Sequence, residues 1–262
     1  MFELILACAV IFPISVVMAM VGRGGGNFYV PALLLLGFSV YQAATSAQLV
    51  LVLTAAAALI IFQKNRAVDW KLALVIDPPT DIMAFVGGFY AHSLGSTNTK
   101  ILLVALLLLS GFLMLRRPVD HREYTGRGPG YWHRKYGEHE YTVNLWVAIP
   151  ITAATGLVAG IVGISGGSFK IPLMVLACGV PMRIAIGTSS AMVAATALMG
   201  FLGHAIGGDF DPYLAIPLGA VAVAGGLLGG RFSLKVDPGK LRLLFACSTL
   251  LAALLVALGT LM

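Results

Sequence analysis

The sequence predicts an all-α polytopic membrane protein made of two inverted repeats, each a broken-helix hairpin plus three transmembrane helices. Three observations carry this expectation: hydropathy, a duplicated glycine motif and the placement of basic residues. Hydrophobic residues make up 59% of the 262 and charged residues 11%. The mean hydropathy is +0.93, where soluble domains sit near or below zero. Residues 21–31, VGRGGGNFYVP, return at 162–172 as VGISGGSFKIP, with six identities in eleven positions. Weaker echoes follow: ATS at 44–46 against GTS at 187–189, VDW at 68–70 against FDP at 210–212, and GG at 87–88 against 229–230. The chain therefore reads as an internal duplication with an offset of about 142 residues.

Basic residues decide between parallel and inverted repeats. If each repeat crossed the membrane four times, nine Lys and Arg would face one side and five the other. If each glycine motif instead closes a hairpin that returns to its starting side before three spans, the stretches 63–71, 116–140, 183 and 235–242 share a side. The count becomes thirteen against one, with only Lys100 opposite. Cytoplasmic loops carry the excess of Lys and Arg, so the second arrangement is favoured, with 116–140 in the cytoplasm and both termini outside. The repeats then cover 1–117 and 141–262, joined by a cytoplasmic connection over 118–140.

The elements follow in order. Apolar stretches that match a ~30 Å hydrocarbon core occur at about 2–22, 41–62, 70–91, 100–115, 142–163, 183–204, 213–231 and 241–261. The first begins Met-Phe-Glu without a basic leader, which suits a retained span. The hairpin's second arm, about 27–37, rises only about 16 Å, half a bilayer. Span 70–91 contains DPPTD at 77–81, whose prolines are expected to distort it. The segment 116–140, RRPVDHREYTGRGPGYWHRKYGEHE, is too charged to bury and reads as a solvated loop. Glycines in GGLLGG, 225–230, suit close helix packing, inside the chain or against a partner.

Candidate site residues cluster in the glycine motifs. Arg23 and Lys170 fall inside them, where topology does not explain a charge. A cation at membrane depth needs a partner or a wet surface, which makes it a functional candidate. Gly24, Gly25 and Gly26, with Gly166 and Gly167, let the backbone bend and offer N–H groups beside the positive end of a half-helix. Asn27 and Ser168 follow the glycines, and Thr45, Ser46, Thr188 and Ser189 open the next helices; all are candidate neutral donors to a small anion. Asp77 and Asp81, four apart on one helix face, have no acidic counterpart in the second half, where Gly219 and Val223 align. They read equally as carriers of a coupling proton or as counter-ions to Arg23.

Other function classes lack support. Cys8, Cys178 and Cys247 lie far apart without metal-ligand spacing, and the histidines match no metal pattern. No phosphate-loop signature, catalytic triad or metal centre is present, so neither an enzyme nor a cofactor is expected. The net charge of +6 is a topological signature rather than a sign of nucleic acid. The partners expected are a small anionic substrate, the lipid bilayer and a coupling proton.

A glycine doublet or triplet, then Phe28 or Phe169, then Pro31 or Pro172, then TS opening a long span, all duplicated, resembles the TauE/SafE family of sulfite exporters, also called the TSUP family. The likeness covers essentially the whole chain. It implies a multi-span carrier of the cell membrane for small sulfur-containing anions such as sulfite, sulfoacetate and related organosulfonates, driven by ion gradients. It also implies that Gly24, Gly25, Gly26 and Pro31, with Gly166, Gly167 and Pro172, are the family's motif positions. Two departures stand out: family members commonly carry an apolar residue where this chain has Arg23, and DPPTD is not part of the pattern. An anion channel and a non-transporting accessory subunit are the competing readings.

Overall fold

The computed structural model describes residues 2–38, 40–90, 96–115, 128–162, 167–206 and 211–261. The elements are α1 (Phe2–Met20), α2 (Gly26–Leu35), α3 (Val40–Lys64), α4 (Trp70–Tyr90), α5 (Ser96–Leu115), β1 (Tyr131–Tyr136), β2 (His139–Asn144), α6 (Leu145–Val162), α7 (Gly167–Pro172), α8 (Met182–Ile206), α9 (Pro212–Lys235) and α10 (Pro238–Leu261). A π-helical turn, Leu173–Ala177, extends α7. Each of the eight expected spans is a helix, the only open form that satisfies every backbone group in lipid. Among the described residues, four helices are long and apolar enough to cross a membrane: Glu3–Met20, Thr45–Lys64, Pro212–Lys235 and Pro238–Leu255.

The helices pack as two compact units, and each unit draws on both halves of the sequence. The first comprises Met1–Val68 and Ile186–Val236, the second Asp69–Ala185 and Asp237–Met262. Each thus combines the glycine hairpin of one half with spans from the other. Repetition in sequence and compactness in space are different partitions of this chain.

In the first unit α9 lies against both α1 and α3, and the GGLLGG stretch is what brings it there. A Cβ on Gly225 would stand 2.6 Å from Ser15 Cβ, and one on Gly229 2.3 Å from the Val16 carbonyl oxygen, both on α1. Gly226 would meet the Thr54 carbonyl oxygen at 2.4 Å and Gly230 the Ile61 Cβ at 3.2 Å, both on α3. Glycines four apart share a helix face, so one pair admits α1 and the other α3. The short α2 turns back along α1: Tyr29 and Leu33 sit in one core with Ala7 and Ile11. The Tyr29 hydroxyl donates to Ser15 Oγ at 3.1 Å and lies 3.2 Å from Thr54 Oγ1, tying α1, α2 and α3 together.

In the second unit α4 packs on α6 and α5 on α10. The helix α4 runs through Pro78 and Pro79 as one element. The prolines remove two N–H donors, and the Thr80 hydroxyl donates to the Ile76 carbonyl at 3.2 Å in the same stretch. Gly156 of α6 fits here, since a Cβ would stand 2.3 Å from the Thr80 carbonyl oxygen. Of the connection read as a solvated loop, 116–127 lies outside the described residues, and the rest is not plain loop. Strands β1 and β2 form an antiparallel hairpin from Tyr131↔Asn144 to Tyr136↔His139. Gly137, with φ +60°, opens its two-residue turn, the torsion that a tight II′ connection needs at that place.

Candidate functional site

The first glycine motif ends one helix and starts another within five residues. The Arg23 N–H reaches the Met18 carbonyl and the Gly22 N–H that of Ala19, a Schellman closure of α1 with Gly22 at φ +67°. The chain then passes Gly24 and Gly25 at φ +73° and +87°, torsions that a side chain resists. Gly25 caps α2 and has no side chain to do so. The Phe28 and Tyr29 N–H groups bond the Gly25 carbonyl, and the positive end of the half-helix faces the break.

Two helices close around this break. The Ser189 hydroxyl of α8 donates to the Gly22 carbonyl at 2.8 Å, and a Cβ on Gly22 would press within 2.7 Å of the Ile186 carbonyl oxygen. Gly24 faces α3 and α8 together, because a Cβ there would lie 2.4 Å from both Leu51 Cδ1 and Val193 Cγ1. Arg23 is buried, with 3% of its surface exposed. On α3, Thr45 and Ser46 are fully buried, and their hydroxyls, with Gln48 Oε1, have no hydrogen-bond partner. Thr188 is buried as well. The first unit therefore holds Arg23, Gly24, Gly25, Gly26, Thr45, Ser46, Thr188 and Ser189 of the expected set.

The second motif is built differently. Ser168 and Lys170 lie on α7, whose described residues, Gly167 included, are all buried. The Lys170 ammonium is ion-paired with the Asp77 carboxylate of α4, and the Ser110 hydroxyl of α5 donates to the Ser168 carbonyl at 2.6 Å. The ion-pair partner of Asp77 is Lys170, and both belong to the second unit. Asp81 follows one turn later on α4 and its charge acts on Asp77. Gly166 and the side chain of Asn27 lie outside the described residues.

One cluster was not anticipated. Asp69, with no exposed surface, caps α4 by accepting from the N–H groups of Lys71 and Leu72. Arg134 of β1 grips the same carboxylate with two bonds of 2.8 Å, and the Tyr141 hydroxyl of β2 adds a third at 2.5 Å. Burial opposes ionisation of Asp69, but the bonds from Arg134, Tyr141 and Leu72 outweigh it and hold the carboxyl below its ordinary value. The ion pair in turn raises Arg134. Asp211 caps α9 in the same way through the Tyr213 N–H and accepts from Gln42 Nε2 at 3.1 Å. The signal was present in the paired VDW and FDP, since Asp before an apolar run is a helix start. Nothing in the sequence pointed to Arg134 as the partner.

Apolar helices and two glycine-rich motifs, one with a buried Arg and one with a buried Lys–Asp pair, define a multi-pass helical membrane protein with charge held inside its helices. The family model for the sulfite exporter TauE/SafE matches residues 6–256, and the chain belongs to that family. It is 25% identical over 231 residues, 84% of each chain, to the probable membrane transporter protein YunE of Bacillus subtilis (strain 168). Shorter matches are to the probable membrane transporter protein YdhB of the same organism, 30% identical over 101 residues, 38% of this chain and 41% of that one. A probable membrane transporter protein of Xylella fastidiosa (strain 9a5c) is 31% identical over 117 residues, 44% of this chain and 45% of that one.

Proposed function

We propose that the chain is a secondary transporter for a small sulfur oxyanion or organosulfonate, such as sulfite or sulfoacetate, working by alternating access in the cell membrane. Membership of the TauE/SafE family and relatives named as membrane transporters support the coarser statement that it is a membrane transporter rather than an enzyme. The observation that carries the finer one is buried Arg23 at the mouth of a half-helix. A guanidinium fork beside the positive end of a half-helix matches the paired oxygens of a sulfonate, sulfite or carboxylate. In this reading the halves are inverted repeats, each with its own glycine hairpin. The connection 116–140 is cytoplasmic and both termini lie outside.

Asp77 is the coupling group of this proposal. A proton taken by Asp77 would release Lys170 from its ion pair. An accessory subunit using GGLLGG to dock a partner is less well supported, because those glycines already admit α1 and α3. Thermal stability of the purified protein against sulfite, sulfoacetate, thiosulfate and sulfate tests the reading. A ligand at a hundredfold excess over Kd adds about 2.7 kcal/mol, so a sulfur anion should raise the midpoint in the wild type and not in Arg23→Gln. Equal shifts in both proteins would remove Arg23 from the site. Conductance far above carrier turnover, without proton dependence, would replace the carrier by a channel.

A further inference from the structure

Thr45 Oγ1 and Gln48 Oε1 are buried polar atoms with no partner, one turn apart on α3. A buried acceptor without a donor costs free energy that folding alone does not recover, and most such atoms in native proteins have a partner. Their position connects them to the glycine break. Leu51, the residue against which Gly24 and Gly26 pack, is three residues after Gln48, and Gln48 is three after Thr45. Neighbours at i, i+3 adjoin on a helix surface, and three residues advance about 4.5 Å along the axis. An outstretched glutamine spans that distance. Thr45, Gln48 and Leu51 thus step along one flank of α3 that ends at the break carrying Arg23.

The two ends of this line have opposite chemistry. Arg23 and the first turn of α2 offer only donors, and they suit an anionic group. Gln48 Oε1 is an acceptor and cannot bond an oxyanion. It needs an O–H or N–H. We propose that Gln48, assisted by Thr45, forms the selective end of the Arg23 site, so that the preferred substrate is an anion with a hydroxyl or amino group at its far end. A bare oxyanion or an alkyl sulfonate can accept from the Gln48 amide NH2 but brings no donor, and would leave Gln48 Oε1 unsatisfied. Sites built to bond a substrate hydroxyl reject the analogue that lacks it, because their own buried group is then stranded. This inference rests on the anion site proposed above.

A matched pair of ligands isolates it: isethionate, which is 2-hydroxyethanesulfonate, and ethanesulfonate, which lacks only the hydroxyl. Affinities would be measured by thermal shift on the purified full chain, wild type, Gln48→Met, Thr45→Val and Arg23→Gln. The wild type should bind isethionate about tenfold more tightly than ethanesulfonate, the factor expected for one buried hydrogen bond. Gln48→Met should bring the ratio to about one without weakening ethanesulfonate, and Thr45→Val should reduce it partly. Without ligand, Gln48→Met should melt no lower than the wild type, because it removes an unsatisfied acceptor; a Gln with a structural role would give a lower midpoint. Equal affinities in the wild type, or a ratio that survives Gln48→Met, would overturn the inference while Arg23-dependent binding left the anion site standing. Absence of binding by both sulfonates would overturn the two together.

Discussion

The two glycine hairpins descend from one pattern and are finished in opposite ways. At the second, Lys170 is closed off by Asp77 and the Ser168 carbonyl by Ser110. At the first, Arg23 is buried beside an α3 whose polar atoms at Thr45, Ser46 and Gln48 have no partner. The neighbouring spans explain the contrast. Asp77 sits on α4, whereas the aligned position on α9 is Gly219, where a Cβ would already press within 2.7 Å of Leu53 Cδ1. A side chain there would have to displace Leu53, and glycine supplies no carboxylate at that level. One motif holds an ion pair with α4, and the other lies against an α3 that carries unpartnered polar atoms.

The largest expected effect tests that contrast directly. Lys170→Met leaves a buried carboxylate without its cation and should cost about 3–5 kcal/mol of stability, seen as a lowered melting midpoint. The double change Lys170→Met with Asp77→Leu should recover most of it. Arg23→Gln should abolish stabilisation by sulfur anions. Stabilisation by those anions that survives Arg23→Gln but not Lys170→Met would reverse the roles of the two motifs.

A smaller effect separates the two helix caps. Asp69 is gripped by a cation and Asp211 by neutral donors, so Arg134→Gln should cost on the order of 2 kcal/mol and Gln42→Leu less. The pH dependence has a definite sign. The folded Asp69 carboxyl lies below its ordinary value, so its stabilisation is fully present above the unfolded pKa of about 3.9 and is lost as pH falls through the folded value. The midpoint gap between wild type and Asp69→Asn should therefore close as pH drops below about 4. A gap constant from pH 7 to 3 would show that the carboxylate's charge contributes nothing. The smallest expected change is Tyr29→Phe, which removes the hydroxyl shared by Ser15 and Thr54 and should cost about 1 kcal/mol in the same melting assay.

Much of the fold was legible because lipid imposes simple rules. All eight spans follow from hydropathy, and the break near 21–26 from clustered glycine. The charged candidates were legible as charges that need an explanation. Their partners were not, since Asp77 could have met either Arg23 or Lys170 and only packing selects Lys170. Gln48 was overlooked inside an apolar span, although a glutamine two residues after the TS pair is itself the anomaly. The β1–β2 hairpin was missed because a segment rich in Arg, His and Glu carries little apolar alternation, and it gains order instead from a buried carboxylate 65 residues earlier.

The assignment of α9 to the first unit also bears on how the chain is made. Its glycine face fits between α1 and α3, yet Pro212 leaves the ribosome 148 residues after Lys64, on the order of ten seconds later at ordinary synthesis rates. Throughout that interval α1 and α3 present an unfilled groove to lipid or to the insertion machinery. The hydroxyl triangle of Ser15, Tyr29 and Thr54 lies wholly within the first 64 residues. It can fasten the three earliest helices in register and keep the slot ready for a span that is translated last but one.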